Sequence, residues 1–141
     1  IHPTVDVGVA VSLEQGLISP VIRNADVKAI SAISQETRDL AARARAGTIR
    51  PEEFSGGTFT ISNLGMYDID DFIAIIVQPQ AGILAVGNAA KRPVVQDDQL
   101  AIATTMRLTL SADHRVTDGA QAAVFLNEIR RLLEAPMLLL V

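Results

Sequence analysis

The 141-residue sequence has no cysteine. That excludes a disulfide framework, a thiol nucleophile and a cysteine-ligated metal, so any thiol chemistry must arrive with a ligand. It also agrees with a reducing compartment. Long apolar runs are missing too: stretches such as Ile73 to Val77 fall far short of the roughly 20 residues that a membrane-spanning helix needs. No isolated cluster of lysine and arginine stands out against a net charge of −4, so the electrostatic footprint of a nucleic-acid binder is absent. Nor does a basic, apolar leader open the chain. Ile1-His2-Pro3 runs almost directly into a strand-like pattern, and the expectation is a start in mid-domain.

What is present reads as one globular domain, 49% hydrophobic and without repeats or low-complexity segments. Val5, Val7, Val9 and Val11 alternate with Asp6, Gly8 and Ala10, which predicts a strand with one face inward. Gly16 marks a turn before a second apolar stretch, Leu17 to Ile22. From Val27 the spacing becomes helical through Ile30, Ile33, Thr37, Leu40, Ala41 and Ala44, with Asp26 expected as N-cap and Gly47 as the left-handed end. Pro51 and Gly56-Gly57 predict a loop. The glycine pair is no phosphate cradle, because no Gly-Lys-Ser or Gly-Lys-Thr ending follows and a strand comes next.

Thr58 to Ser62 predicts a short strand, with Phe59 and Ile61 on one face and the polar row Thr58, Thr60 and Ser62 on the other. Ile83 to Val86, Pro93 to Val95 and the long run Leu100 to Ser111 predict further strands, with a hairpin turn at Gln96-Asp97-Asp98-Gln99. A last helix from Thr117 or Asp118 is expected to bury Ala122, Leu126, Ile129 and Leu133, and to stop at Pro136. The apolar tail Met137 to Val141 is expected to dock on another surface, such as another subunit. Strands and helices interleave without regular alternation, which predicts an α/β fold of the α+β two-layer type, a mixed sheet with packed helices.

The chemically informative stretch is Ser111 to Gly119, where His114 falls between a strand and a helix. A histidine of ordinary pKa near 6.5 suits general-base work. A thiol near 8.5 lies only about 2 units higher, a mismatch of roughly 3 kcal/mol that positioning and charge stabilisation can offset. The plain alternatives are a histidine satisfying a strand end, Asp118 as an ordinary helix N-cap, and Ser62-Asn63 as a simple turn.

His114-Arg115-Val116-Thr117-Asp118-Gly119 resembles the His-x-x-x-Asp-Gly motif of the acyltransferases related to chloramphenicol acetyltransferase. The longer Ser111 to Ala120 pattern, together with Gly56 to Met66, is similar more narrowly to the dihydrolipoyl acyltransferases of 2-oxo acid dehydrogenase complexes. Similarity also runs through Val5 to Asp26 and Pro79 to Gly87. The resemblance implies the chloramphenicol acetyltransferase-like fold. It implies transfer of an acyl group between dihydrolipoamide and coenzyme A, with His114 as general base, Ser62 as oxyanion donor and Asp118 organising the site. Gly119 would permit close packing at the helix start. Coenzyme A contacts are implied around Ser62, Asn63 and Gly87, although Ser12 and the alanines near Ala44 depart from larger polar groups in relatives. No metal is called for.

The resemblance further implies that residues 1–141 are the C-terminal part of a catalytic domain. The first part of that domain, a subunit-binding domain and the lipoyl domain bearing the lipoyl group would lie outside this chain. Implied partners are two further copies in a homotrimer that builds a larger core, and the 2-oxo acid dehydrogenase and dihydrolipoyl dehydrogenase components. Asn63 to Met66 and Pro79 to Ala81 look most like acetyl-transferring members serving pyruvate dehydrogenase, with branched-chain and succinyl versions open. A bacterial cytoplasm is favoured over a mitochondrial matrix. Competing readings are a chloramphenicol acetyltransferase-like enzyme with an alcohol acceptor, a noncatalytic core subunit, and a fragment inactive alone.

Overall fold

A computed structural model describes residues 2–139. Its centre is a five-stranded sheet in the order β4-β1-β5-β6-β9. The strands are β1 (Val7–Val9), β4 (Val21–Ile22), β5 (Phe59–Asn63), β6 (Gly82–Val86) and β9 (Leu108–Ala112). β1, β5 and β6 run parallel, while β4 and β9 are antiparallel at the two edges, which is the expected mixed sheet.

Two small hairpins stand outside it: β2 (Val11–Leu13) with β3 (Gly16–Ile18), and β7 (Ala90–Gln96) with β8 (Gln99–Thr105). Two expected strands and one apolar stretch are therefore each divided. The Val5 to Val11 strand splits at Ala10, where Val9 still pairs with Ile61 but Val11 pairs with Ile18. The Leu17 to Ile22 stretch splits at Ser19-Pro20, since proline lacks the N–H a ladder requires. The Leu100 to Ser111 run splits at Met106-Arg107, between the outer hairpin and the central sheet. The alternation of side chains continues through a change of sheet, so the period alone does not show these breaks.

Helix α1 (Ile30–Arg45) packs on β2 and β4 with Leu40 and Ala44 buried. Truncating a buried leucine of this kind costs roughly 3 kcal/mol. Asp26 is not its N-cap. That aspartate sits in a separate 3-10 turn, and the extended Lys28 and Ala29 delay the helix to Ile30. The C-terminus follows the expectation: Gly47 has φ of 69°, its N–H bonds the Ala44 carbonyl at 3.1 Å, and the Thr48 N–H bonds the Arg43 carbonyl at 2.9 Å. These are the two bonds of a Schellman end.

Helix α2 (Gly119–Glu134) lies over the opposite part of the sheet, where Phe125 meets Phe59 edge to face with centroids 5.8 Å apart. It buries no residue fully. Ala122, Leu126 and Ile129 are half-covered, and Leu133 is 47% exposed, so the expected burial holds only in part. The 3-10 turn Pro136–Leu139 ends the helix with Met137, Leu138 and Leu139 exposed. The rest of the apolar tail, Leu140 and Val141, lies outside the described residues.

The other face of the sheet is covered by an extended strap, in which Phe72, Ala74 and Ile76 pack against Ile83 and Ala85. The Ser111 hydroxyl donates to the Ala74 carbonyl at 2.8 Å and the Thr109 hydroxyl to the Asp71 carboxylate at 2.6 Å, pinning the strap to β9. Fully buried Thr60 donates its hydroxyl to Gln80 Oε1 at 2.6 Å, holding the far end of the same strap.

Candidate active site

The expected catalytic residues fall into two groups at opposite ends of the sheet. His114 follows β9 and precedes α2, as the sequence predicts, and is exposed at the rim of a cavity of about 350 Å³. Leu110, Ala112, Asp118, Ala122 and Leu126 share that cavity. The loop is shaped by local hydrogen bonds. Arg115 grips the Asp113 carboxylate through its guanidinium, at 2.7 Å for the shortest bond, and through its backbone N–H at 2.9 Å. The Arg115 side chain holds the Asp113 carboxyl down at about 2, well below the usual carboxylate range. Val116 and Thr117 both donate their N–H to the Asp113 carbonyl. The hydrogen bonds of the loop leave the imidazole to face the cavity and solvent.

Asp118 is the N-cap of α2, and its carboxylate accepts the Gln121 N–H at 2.8 Å. The plain role therefore exists alongside its place on the cavity wall. Gly119 does not serve close packing, because a Cβ there would meet open space.

Ser62, Asn63 and Gly87 are brought together at the other end. Asn63 pairs with Val86 across β5 and β6, so Ser62-Asn63 and Val86-Gly87 leave the sheet side by side. Asn63 Oδ1 accepts the Gly65 N–H at 2.8 Å, fixing the turn after β5. Gly87 is buried with its N–H on the Arg107 carbonyl at 2.9 Å, and a side chain there would overlap the Asp70 carbonyl. A built-in reason for glycine thus exists at this position, apart from any ligand. Ser12 and Ala44 line a cavity with Gln15 and Arg45 that does not include these three.

The register separates the two groups. Ser62 is level with Ala85 and Thr109, whereas Ala112 is level with Gly82. From Ser62 to Ala112 is about 10 Å along the strands and about 10 Å across two strand spacings, and the chain then turns further away to His114. They also lie on different faces. Ser62 shares the strap side with Thr60 and Ala85, while Ala112 shares the α2 side with Gly82 and Phe59. One chain cannot bring the Ser62 hydroxyl and the His114 imidazole to one reacting carbon.

The sequence did not reveal an ionic clamp beside Ser62. Arg92 bonds Asp70, Asn88 Oδ1 at 2.8 Å and the Thr105 carbonyl at 2.6 Å, with Arg107 3.5 Å from the same Asp70. Its members come from three separate segments, and no local spacing marks them as partners. Among the described residues no group of three His, Asp or Glu side chains is placed to hold a metal, and no helix is long and apolar enough to cross a membrane.

Comparison with known proteins gives this arrangement its class. The chain is 39% identical to a probable dihydrolipoamide acetyltransferase from Listeria monocytogenes, with a TM-score of 0.91 over 95% of this chain and 57% of that one. It is 35% identical to the dihydrolipoamide acetyltransferase of Azotobacter vinelandii, with a TM-score of 0.93 over 99% of this chain and 58% of that one. In that protein a serine, a histidine and an asparagine were investigated for their role in catalysis. The serine and histidine are separated there by the same number of residues as Ser62 and His114, and the asparagine stands at the position of Asp118. The fold is thus that of an acyltransferase catalytic core, the chloramphenicol acetyltransferase-like architecture.

The family model described as 2-oxoacid dehydrogenases acyltransferase (catalytic domain) matches residues 1–141, and the chain belongs to that family. Among curated proteins it is 54% identical over 139 residues to the dihydrolipoyllysine-residue acetyltransferase component of the pyruvate dehydrogenase complex of Rickettsia bellii, covering 99% of this chain. The chain spans 33% of the length of that relative.

Proposed function

We propose that this chain is the C-terminal part of the catalytic domain of a dihydrolipoyllysine-residue acetyltransferase. It would carry an acetyl group between dihydrolipoamide and coenzyme A in a pyruvate dehydrogenase complex, at a site completed by a second copy. The observation that carries this reading is the placement of the family's histidine and serine at opposite ends and faces of one sheet. The identity to acetyltransferase components supports acetyl over branched-chain or succinyl groups. The retained His114 and Asp118 favour catalysis over a noncatalytic core role, and the Thr58 to Met66 segment favours a thiol acceptor over an alcohol.

In the forward direction the coenzyme A thiol gives its proton to the His114 imidazole as its sulfur attacks the acetyl carbonyl of the lipoyl thioester. Negative charge gathers on the carbonyl oxygen, where the Ser62 hydroxyl of the facing copy donates a hydrogen bond. Collapse of the tetrahedral adduct breaks the lipoyl carbon–sulfur bond, and the leaving sulfur takes the proton back from His114. Acetyl-coenzyme A and dihydrolipoamide result, with no acyl-enzyme. Asp118 holds the first turn of α2 and so sets the loop that carries the imidazole. Asn63 and Gly87 line the Ser62 end, where coenzyme A contacts would fall. The lipoyl group would come from a lipoyl domain elsewhere in the parent protein.

A homotrimer built into a larger core would supply the facing copies; one similar solved structure, 35% identical, is the cubic core of a pyruvate dehydrogenase multienzyme complex. The dehydrogenase and dihydrolipoyl dehydrogenase components would bind outside this chain. Relatives occur in bacteria and in the mitochondria of Schizosaccharomyces pombe, and we favour a bacterial cytoplasm.

Co-expression tests the shared site. Parent proteins carrying Ser62→Ala or His114→Ala should each be nearly inactive in coenzyme A acetylation, and mixed assemblies of the two should regain a substantial fraction of activity. Mixed assemblies as inactive as their parents would rule the two-copy site out.

A further inference from the structure

The His114 side chain and backbone make no hydrogen bond among the described residues, so the direction of the ring is set by the turn that carries it. Asp113 closes that turn twice. Its carbonyl accepts the Val116 N–H at 2.9 Å and the Thr117 N–H at 3.1 Å, which makes His114 the second residue of a β-turn. Its carboxylate Oδ1 accepts the Arg115 N–H at 2.9 Å, an Asx-turn with His114 at the centre. One residue therefore holds the chain around the imidazole by main chain and side chain alike.

The closing carboxylate is itself held. Arg115 Nε reaches Oδ1 at 3.0 Å and Oδ2 at 3.2 Å, and its Nη2 reaches Oδ2 at 2.7 Å, a fork that fixes the rotation of the carboxylate. With its carboxyl held down at about 2, the Asp113 side chain stays an acceptor through neutral pH. The turn is also rooted in the sheet. The Asp113 N–H donates to the Ala81 carbonyl at 2.8 Å, one step beyond the last β6–β9 pair, Gly82 with Ala112. That bond uses backbone atoms only and survives any change of the Asp113 side chain. Asp118 acts later in the chain, on the Gln121 N–H, and leaves the turn itself to Asp113.

We infer that Asp113 is a positioning residue for acyl transfer: its Asx-turn, gripped by Arg115, aims the His114 imidazole, and Asp113 itself touches no substrate. The inference rests on the reading of His114 as general base. A base must lie within about 3 Å of the proton it takes, and a misplacement of about 1 Å costs on the order of 100-fold in rate. The main-chain carbonyl of Asp113 bonds only Val116 and Thr117, so without the carboxylate the Arg115 N–H loses its partner and the peptide between His114 and Arg115 is free to rock.

The test uses the full-length parent protein. Asp113→Ala keeps the Ala81 bond and the β-turn but removes the Asx-turn, and should lower kcat about 30-fold with KM unchanged for coenzyme A and for acetyl-dihydrolipoamide. Asp113→Asn keeps an acceptor oxygen for the Arg115 N–H and should recover kcat to within about threefold of the parent. Amide hydrogen exchange, read by mass spectrometry on the peptide spanning Arg115 to Thr117, should be faster in the alanine variant than in the asparagine variant. An alanine variant with kcat within about twofold of the parent, or with its loss in KM alone, would overturn the inference. So would an asparagine variant as slow as the alanine one, because charge and not the turn would then be responsible, or a loss of kcat with no change in exchange. His114→Ala, run beside them, separates the two readings. Parental activity in that variant would remove the general base and the positioning role together, whereas an inactive His114→Ala beside a fully active Asp113→Ala would remove the positioning role alone.

Discussion

The two ends of the central sheet are held by different kinds of contact. At the Ser62 end the backbone is fixed by residues far apart in sequence: Asp70 with Arg92 and Arg107, Asn88 with Asp68, and Gly87 against the Asp70 carbonyl. At the His114 end, from Arg115 to Gln121, hydrogen bonds join residues no more than four apart, while at the foot of the loop the Asp113 N–H donates to the distant Ala81 carbonyl at 2.8 Å. The proposed oxyanion donor thus sits on a part of the fold that must assemble globally, whereas the proposed base sits on a loop shaped mostly by its own residues. An acid–base group needs its ring presented to a cavity. An oxyanion donor needs a position fixed to fractions of an ångström, and long-range packing supplies it.

The comparison sharpens first at the level of chemistry. In the parent protein His114→Ala should lower coenzyme A acetylation about 1,000-fold and Ser62→Ala about 100-fold, with melting temperatures unchanged. A large loss of stability with either variant would mean that the two ends are not separable into scaffold and chemistry. Next comes a glycine pair, one at each end. Gly87→Ala should cost about 3 kcal/mol in urea unfolding, because the methyl group displaces the Asp70 carbonyl, while Gly119→Ala should be neutral or mildly stabilising.

Breaking the clamp with Arg92→Ala should cost about 2 kcal/mol and speed hydrogen exchange in β7 and β8 without changing exchange in α2. Equal acceleration in both would contradict the division of the molecule into two ends. Asp118→Ala should cost about 1 kcal/mol through loss of the cap, and Asp118→Asn should restore most of it, since asparagine caps equally well.

The smallest effect concerns pH. The Asp113 carboxyl titrates at about 2 in the folded chain and near 3.9 when unfolded, so its pairing with Arg115 stabilises the fold above about pH 4 and is lost as pH falls toward 2. Because Arg115 is exposed, the contribution is screened. Asp113→Asn should flatten the acid limb of stability in that window only, as read by thermal melts from pH 5 to pH 2.

Legibility in the sequence follows the same division. Gly47 and Asp118 were readable as helix boundaries because the bonds they make reach only a few residues along the chain. His114 was readable because its motif and its strand-to-helix setting are contiguous. Asp26 misled for the opposite reason: a good capping residue stood near the expected start, but the extended Lys28 and Ala29 moved that start to Ile30.

By itself the sequence determined the family, the type of each main element and the identity of the candidate base and oxyanion donor, since motifs, periodicities and caps are local properties. Tertiary structure alone decided that Val5 to Val11 and Leu100 to Ser111 each serve two sheets, that Asp70, Arg92 and Arg107 form one clamp, and that Ser62 and His114 face away from each other. These depend on which strand lies beside which. Strand pairing joins residues tens of positions apart, and alternation along one strand carries no record of its neighbour.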